Sequence, residues 1–189
     1  MKALKRIALT ELQVMFYSPI AWFILIIFLV QVVMAFNGNY GGKVTSVELG
    51  YNLSNLTNEI YYSPFGGLFK RVLSYLYLYI PLLTMGIMSR ELSSGSIKLL
   101  YSSPVTNFQI IFGKYIAVMV YALLMVFVVG IFVIYGAFTI ENFDIAPCLV
   151  GLLGIYLLLC AYGAIGLFMS SLTSYQVIAA IGTLLFLQY

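Results

Sequence analysis

Long apolar stretches alternate with short polar ones along this chain. The apolar stretches cover residues 19–36, 72–89, 110–137 and 147–169, and a shorter one covers 175–189. A helix needs about 20 predominantly apolar residues to cross the hydrocarbon core of a bilayer. The pattern therefore predicts four membrane spans and a partial fifth. It places the chain in the all-α class, as a polytopic transmembrane helical bundle that forms a single transmembrane domain over residues 1–189.

Polar and proline residues indicate where these helices begin and end. Pro19 is expected at the first helical position of span 1, and Asn37–Asn39 is expected to end that helix. An outer loop over 37–71 follows. Pro81 lies inside span 2 and is expected to kink it, because proline removes a backbone hydrogen bond.

The last 45 residues contain no charged side chain. A single helix of that length would be about 67 Å long, which is twice what a bilayer needs. A break is therefore expected at the polar cluster 170–174. The remaining segment 175–189 is too short for a full span, so it is either re-entrant or part of a chain truncated before its last segments. We favour truncation before a sixth span.

Residues 1–17 have the pattern of an amphipathic helix that lies in the membrane interface. Apolar residues recur at helical spacing, namely Leu4, Ile7, Ala8, Leu12, Met15 and Phe16. An ordinary basic flank to span 1 is the alternative. With the amino terminus on the inner side, six of the nine Lys and Arg residues lie inside and three lie outside, which favours this orientation.

Composition excludes several classes of protein. The chain is 63% hydrophobic and 8% charged, which rules out a sizeable soluble domain. Nine basic residues are too few for a nucleic-acid footprint. The absence of histidine excludes histidine-based catalysis and histidine metal ligation, and no catalytic or metal-binding residues are predicted.

The predicted spans offer little chemistry of their own. They contain no acidic residue that would form a proton relay or an ion site, so energy for transport would have to come from a partner. Tyr75 and Tyr79 share a helical face beside Pro81 and are candidates to line a substrate path. The alternative is packing with the hydroxyl groups hydrogen-bonded. Small residues at 151–166 in span 4 indicate close packing, either within the chain or in a dimer.

The connector between spans 2 and 3, residues 90–108, is the most informative segment. It is too polar to be a span and too apolar to be a plain loop. Ile97, Leu100 and Tyr101 form one apolar stripe of a short helix, which Ser103 and Pro104 end. Such a helix suits either a layer of lipid headgroups or a groove on a soluble partner.

The residues of this connector resemble the permease subunits of the ABC-2 type transporter family, in particular bacterial gliding-associated and multidrug exporters. The similar pattern runs from Glu91 through Gly95–Leu100 to Pro104–Thr106, and Gly113-Lys114 opens the next span. Residues 79–85 are also similar to that group. The order of elements matches over most of the chain.

The resemblance implies six spans per subunit, a homodimer or heterodimer of permease subunits, and ATP hydrolysis with Mg²⁺ on separate ABC ATPase subunits. The connector would be the coupling helix that docks on the ATPase, formed by Glu91, Gly95, Ser96, Ile97, Lys98, Leu99 and Leu100, with Pro104 at its end. Many family members have Glu where this chain has Lys98. The sequence has no Gly-x-x-x-x-Gly-Lys-Ser/Thr loop, so the chain itself is expected to bind neither ATP nor another cofactor.

We therefore expect a non-enzymatic permease subunit of an ATP-driven exporter in the bacterial cytoplasmic membrane, in contact with lipid and with no nucleic-acid partner. Two alternatives remain. The chain would otherwise be a membrane scaffold whose connector binds lipid or a different partner, or a passive channel.

Overall fold

The computed structural model describes residues 2–49, 56–64, 66–97, 106–140 and 143–188, except the side chains of residues 2, 3, 47 and 48. Within these residues the chain forms helices joined by short turns. The helices are α1 (Lys2–Tyr17), α2 (Pro19–Glu48), α3 (Leu56–Tyr61), α4 (Leu68–Thr84), α5 (Gly86–Ser94), α6 (Asn107–Thr139), α7 (Ile145–Leu172) and α8 (Gln176–Gln188).

Four helical segments are long and apolar enough to cross a membrane. They are α2, the consecutive pair α4 and α5, α6 and α7. Helix α8 is apolar but has only 13 residues. The described part of the chain therefore has the composition and helix lengths of a polytopic membrane bundle.

The two ends of the bundle differ in what they hold. Because α5 continues to Ser94 and α6 begins at Asn107, the segment that joins them is 95–106, and it is called the connector from here on. At one end of the bundle, which we call the connector end, α5 leads into the connector and α6 leaves it, and α1 packs along the beginning of α6. At the opposite end, which we call the loop end, α3 packs against α2 and α4. Helix α7 lies against α4, α5, α6 and α8, and so holds the bundle together along its length.

Helix α1 packs its predicted apolar stripe against protein. Ala8 and Met15 are buried, while Leu9 and Tyr17 on other faces are exposed. The neighbour that covers the stripe is α6. The apolar stripe of this segment therefore takes part in a helix–helix contact inside the chain.

The prediction that Asn37–Asn39 ends the first long helix is wrong, because α2 continues to Glu48. Tertiary contacts outweigh the weak helix propensity of these residues. The Asn39 side chain donates a hydrogen bond to the Gly66 carbonyl at 2.8 Å, and Lys43 forms a 2.5 Å ion pair with Glu59 of α3. Just over a third of the predicted outer loop, residues 37–48, is thus helix that projects beyond the apolar segment.

The second span consists of two helices instead of one. Helix α4 ends at Thr84, α5 begins at Gly86, and Met85 lies between them and donates its N–H to the Pro81 carbonyl. The interruption therefore falls one turn after Pro81. Helix α5 continues to Ser94, beyond the predicted end of the span at residue 89.

Small residues of α7 allow close packing within the chain. A Cβ atom at Gly166 would lie 2.2 Å from the Thr84 hydroxyl, and one at Gly163 would lie 2.9 Å from Val118. A Cβ atom at Gly151 would lie 2.6 Å from the Phe69 ring, whereas Gly154 has no neighbour within 4 Å. The packing alternative therefore describes Gly151, Gly163 and Gly166.

Candidate functional site

A buried lysine joins three helices at the connector end. The Lys114 ammonium lies 2.7 Å from a carboxylate oxygen of Glu91 in α5 and 3.1 Å from one of Glu11 in α1. It also donates a hydrogen bond to the Ile87 carbonyl at 3.1 Å. Only 2% of the Lys114 side chain is exposed, so the ammonium is removed from solvent. We call Glu11, Glu91 and Lys114 the charge cluster.

The charge cluster is costly to break. Removing one member of a buried ion pair leaves an uncompensated charge and typically costs about 3–5 kcal/mol. Two carboxylates share one ammonium here, so the formal charge of the cluster is negative. Within the described residues, the second carboxylate oxygen of Glu91 is buried and has no hydrogen-bond partner. The three helices are therefore coupled electrostatically, because displacing any of them exposes or orphans a charge.

A glycine beside the lysine brings α1 close to α6. A Cβ atom at Gly113 would lie 2.8 Å from the Ile7 side chain and 3.4 Å from the Leu4 carbonyl oxygen. Glycine at this position lets the two helices approach closely enough for Glu11 to reach Lys114. Gly113 and Lys114 thus act together in positioning α1.

Ser170 holds α7 to the interruption between α4 and α5. Its hydroxyl accepts hydrogen bonds from the backbone N–H groups of Met88 and Ser89, at 3.1 and 3.2 Å, and donates one to the Met85 carbonyl at 2.9 Å. The first N–H groups of a helix have no partner within the helix. A fully buried side chain from another helix satisfies them here.

Both borders of the connector have defined backbone geometry. Gly95 follows α5 in the left-handed conformation, with φ of 71°, and its N–H bonds to the Leu92 carbonyl. Thr106 precedes α6 and forms a capping box with Gln109. The chain is thus fixed as it enters and as it leaves the connector.

The predicted docking residues fall partly within the described chain. Glu91 faces inward to Lys114, Gly95 ends α5, and Ser96 lies 2.8 Å from the Ser94 hydroxyl, oxygen to oxygen. Ile97 is half-buried. Lys98, Leu99, Leu100 and Pro104 lie outside the described residues.

The predicted substrate-path residues lie within the packed bundle. The Tyr79 hydroxyl donates a 2.5 Å hydrogen bond to the Gln31 side chain, and its ring packs edge-on against Phe28. Tyr79 and Pro81 are buried, and Tyr75 is half-buried. For Tyr79, the geometry agrees with packing of a hydrogen-bonded hydroxyl.

Aromatic side chains close the loop end. Tyr61 of α3 is fully buried and donates a 2.7 Å hydrogen bond to the Phe132 carbonyl of α6. Gly136 leaves the space that its phenol occupies. Burial raises the pKa of Tyr61 well above its usual range, so the phenol stays a neutral donor at physiological pH.

Sequence reasoning missed the partners of Lys114 and the role of Ser170. The sequence pattern placed Lys114 only at the opening of the third span, whereas the structure shows it buried and paired with two carboxylates. The sequence offered one indication of these partners, because it placed Glu11, Glu91 and Lys114 at the same predicted end of three helices. Among the described residues, no group of three or more His, Cys, Asp or Glu side chains is placed to hold a metal ion.

Comparison with family models gives one match that covers nearly the whole chain. The model described as "ABC-2 family transporter protein" matches residues 6–189. No match was found among the curated proteins or among the solved structures that were compared.

Proposed function

Since this chain belongs to the ABC-2 transporter family and is thus a membrane subunit of an ABC transporter, we propose that it is the permease subunit of an exporter. Membership implies partnership with an ABC ATPase subunit. The finer assignment is to a bacterial exporter that moves its substrate out of the cell on ATP hydrolysed by that partner, with Mg²⁺ bound there.

The charge cluster is the observation that supports a coupling role. Lys114 connects α5, which enters the connector, with α6, which leaves it, and both with α1. A force applied to the connector would therefore move three helices as a unit. In this proposal, residues 95–100 contact the ATPase, and Glu91 transmits the displacement from inside the protein.

The proposed orientation places the connector end in the cytoplasm together with the amino terminus. This arrangement follows the excess of Lys and Arg on that side of the chain. A second permease subunit, identical or not, would complete the transport path. The interruption at Met85 gives the second span a place at which α5 can tilt relative to α4.

Co-purification with the co-encoded proteins in detergent tests this function. We expect a stoichiometric nucleotide-binding subunit and ATPase activity in the complex. Ile97→Asp is expected to reduce co-purification at least tenfold, because it places a charge on the docking stripe. Leu9→Asp, which adds the same charge to an exposed position of α1, serves as the control.

The outcome discriminates between the alternatives. A protein that purifies without any ATPase would support a scaffold or a channel and would overturn the exporter. Equal co-purification of wild type and Ile97→Asp would overturn the docking assignment while leaving the ATPase partnership intact.

A further inference from the structure

A cavity at the connector end lies apart from the charge cluster. It has a volume of about 110 Å³ and lies between the start of α2, the interruption between α4 and α5, and the start of α8. Its apolar wall includes Ile24, Leu82 and Leu83, and its polar lining includes Ser18, Arg90 and Gln176. The cavity is open to the surroundings, since Arg90 and Ile20 on its lining are exposed.

Arg90 has no acidic partner among the described residues. Glu11 and Glu91 pair with Lys114, and Glu59 pairs with Lys43. Asp144 directly precedes α7 at the loop end of the bundle. The Arg90 Nε donates to the Gly86 carbonyl at 2.7 Å, which fixes the guanidinium at the cavity. Its terminal nitrogens have no partner in the described chain.

The lining changes from polar to apolar along one direction. Arg90 and Leu82 are eight residues apart on consecutive helices, which corresponds to roughly 12 Å along the bundle axis. A guanidinium matches a phosphate or carboxylate with two parallel hydrogen bonds. The apolar wall beyond it matches an acyl chain. This order of groups is that of an anionic amphiphile standing in the membrane leaflet.

We propose that this cavity binds the anionic headgroup and upper acyl chain of a membrane amphiphile, with Arg90 as the headgroup ligand. The cavity is too small for the whole molecule, so the rest of the acyl chain lies outside it, toward the interior of the bilayer. That this amphiphile is the transported substrate class rests on the proposed function.

Trp22 provides a direct reporter. It is the only tryptophan of the chain, follows the cavity residue Ala21, and is half exposed. The purified chain would be placed in phosphatidylcholine bilayers that contain a small fraction of phosphatidylglycerol brominated on its acyl chains. Quenching of Trp22 fluorescence by this brominated phosphatidylglycerol is compared with quenching by the same fraction of brominated phosphatidylcholine. The ratio of the two gives the enrichment of the anionic lipid at the site. We expect at least threefold enrichment of the anionic lipid in wild type.

Variants distinguish a defined lipid site from general electrostatic attraction of anionic lipid to the protein. Arg90→Gln should bring the enrichment close to one, and Arg90→Lys should retain part of it. Arg6→Gln removes an exposed cation of α1 at the same end and should leave it unchanged. Ile20→Phe narrows the mouth from an exposed position and should lower the enrichment about twofold. Equal losses in Arg90→Gln and Arg6→Gln, or no enrichment in wild type, would overturn the site.

Two further measurements distinguish the source and the role of the ligand. Millimolar inorganic phosphate should leave the quenching unchanged, and full competition would show a site for free anions and overturn the lipid assignment. In the complex with the ATPase, phosphatidylglycerol should raise ATP hydrolysis several-fold in wild type but not in Arg90→Gln. Binding without stimulation would overturn the substrate assignment. Because quenching is measured without the ATPase, its failure is separable from failure of the proposed function.

Discussion

The Lys114 ammonium lies 2.7 Å from the Glu91 carboxylate although the two residues are 23 positions apart in the chain. Glu91 is in the last turn of the helix that enters the connector, and Lys114 is two turns into the helix that leaves it. Because this ion pair joins α5 and α6, the helices at the two ends of the connector, a movement of one helix displaces the other. We regard this pair, with Glu11, as the element that would carry motion from the connector into the bundle.

Lys114→Met is expected to lower stability by about 3–5 kcal/mol, because the partly buried carboxylates of Glu11 and Glu91 are left without a counter-charge. Thermal unfolding is measured with a thiol-reactive fluorophore, since Cys148 and Cys160 are both buried and react only on unfolding. Lys43→Met is the matched control. Its ion pair with Glu59 is about a third exposed, and its loss should cost at most about 1 kcal/mol.

Neutralising the whole cluster tests the electrostatic reason for that loss. The triple variant Lys114→Met with Glu11→Gln and Glu91→Gln should recover much of the stability lost in the single variant, since no unpaired charge remains. A triple variant as unstable as Lys114→Met would show that the loss of stability comes mainly from the lost packing of the lysine stem and not from the unpaired charges.

Gly113→Leu is expected to displace α1 from α6. The new side chain would begin 2.8 Å from Ile7, and overpacking of this kind costs about 1–3 kcal/mol. Hydrogen exchange of residues 2–17 should become faster. Adding Ile7→Ala should restore part of the protection. Gly154→Leu, at a site with no neighbour within 4 Å, should leave exchange of α1 unchanged.

The long helices were predictable because a membrane span is a local signal. Apolar character summed over some 20 residues identifies α6 and α7 without knowledge of their neighbours. The end of α2 was not predictable in this way. Asn37–Asn39 has the composition of a helix end, but contacts with Gly66 and Glu59, residues far along the chain, keep the helix intact.

The charge cluster depended on the same kind of distant information. Glu11 and Lys114 are 103 residues apart, and nothing in either local pattern specifies which faces of α1 and α6 meet. Ser170 is similar, since it was predicted only as part of the polar break 170–174. Its hydrogen bonds to Met88 and Ser89 follow from the way α7 crosses the interruption in the second span.

Ser170→Ala is expected to destabilise the protein by about 1–3 kcal/mol, because it leaves buried backbone groups at the start of α5 without partners. Faster hydrogen exchange in residues 86–94 would accompany this loss. Ser171→Ala is the control, since that exposed hydroxyl bonds only to the nearby Phe168 carbonyl in α7. Similar behaviour of the two variants would contradict the role assigned to Ser170.

Gly95 determines the direction in which the chain enters the connector. Its φ of 71° disfavours a side chain by roughly 1–2 kcal/mol, although no atom lies within 4 Å of the position a Cβ would occupy. Gly95→Ala should therefore alter the backbone without a steric clash. In the complex with the ATPase, we expect it to reduce the several-fold stimulation of ATP hydrolysis by the amphiphile, measured as the ratio of the stimulated to the basal rate of the same variant.

Gly95→Asn and Gly42→Ala complete this experiment. Asparagine tolerates the left-handed conformation better than alanine and should retain most of the stimulation. Gly42 lies in α2 with open space around it, so its change to alanine should have no effect on coupling. The amphiphile could instead stimulate ATP hydrolysis in Gly95→Ala as strongly as in wild type. In that case the backbone conformation at Gly95 does not set the position of the connector, and coupling must depend on the contacts made by the side chains of the connector.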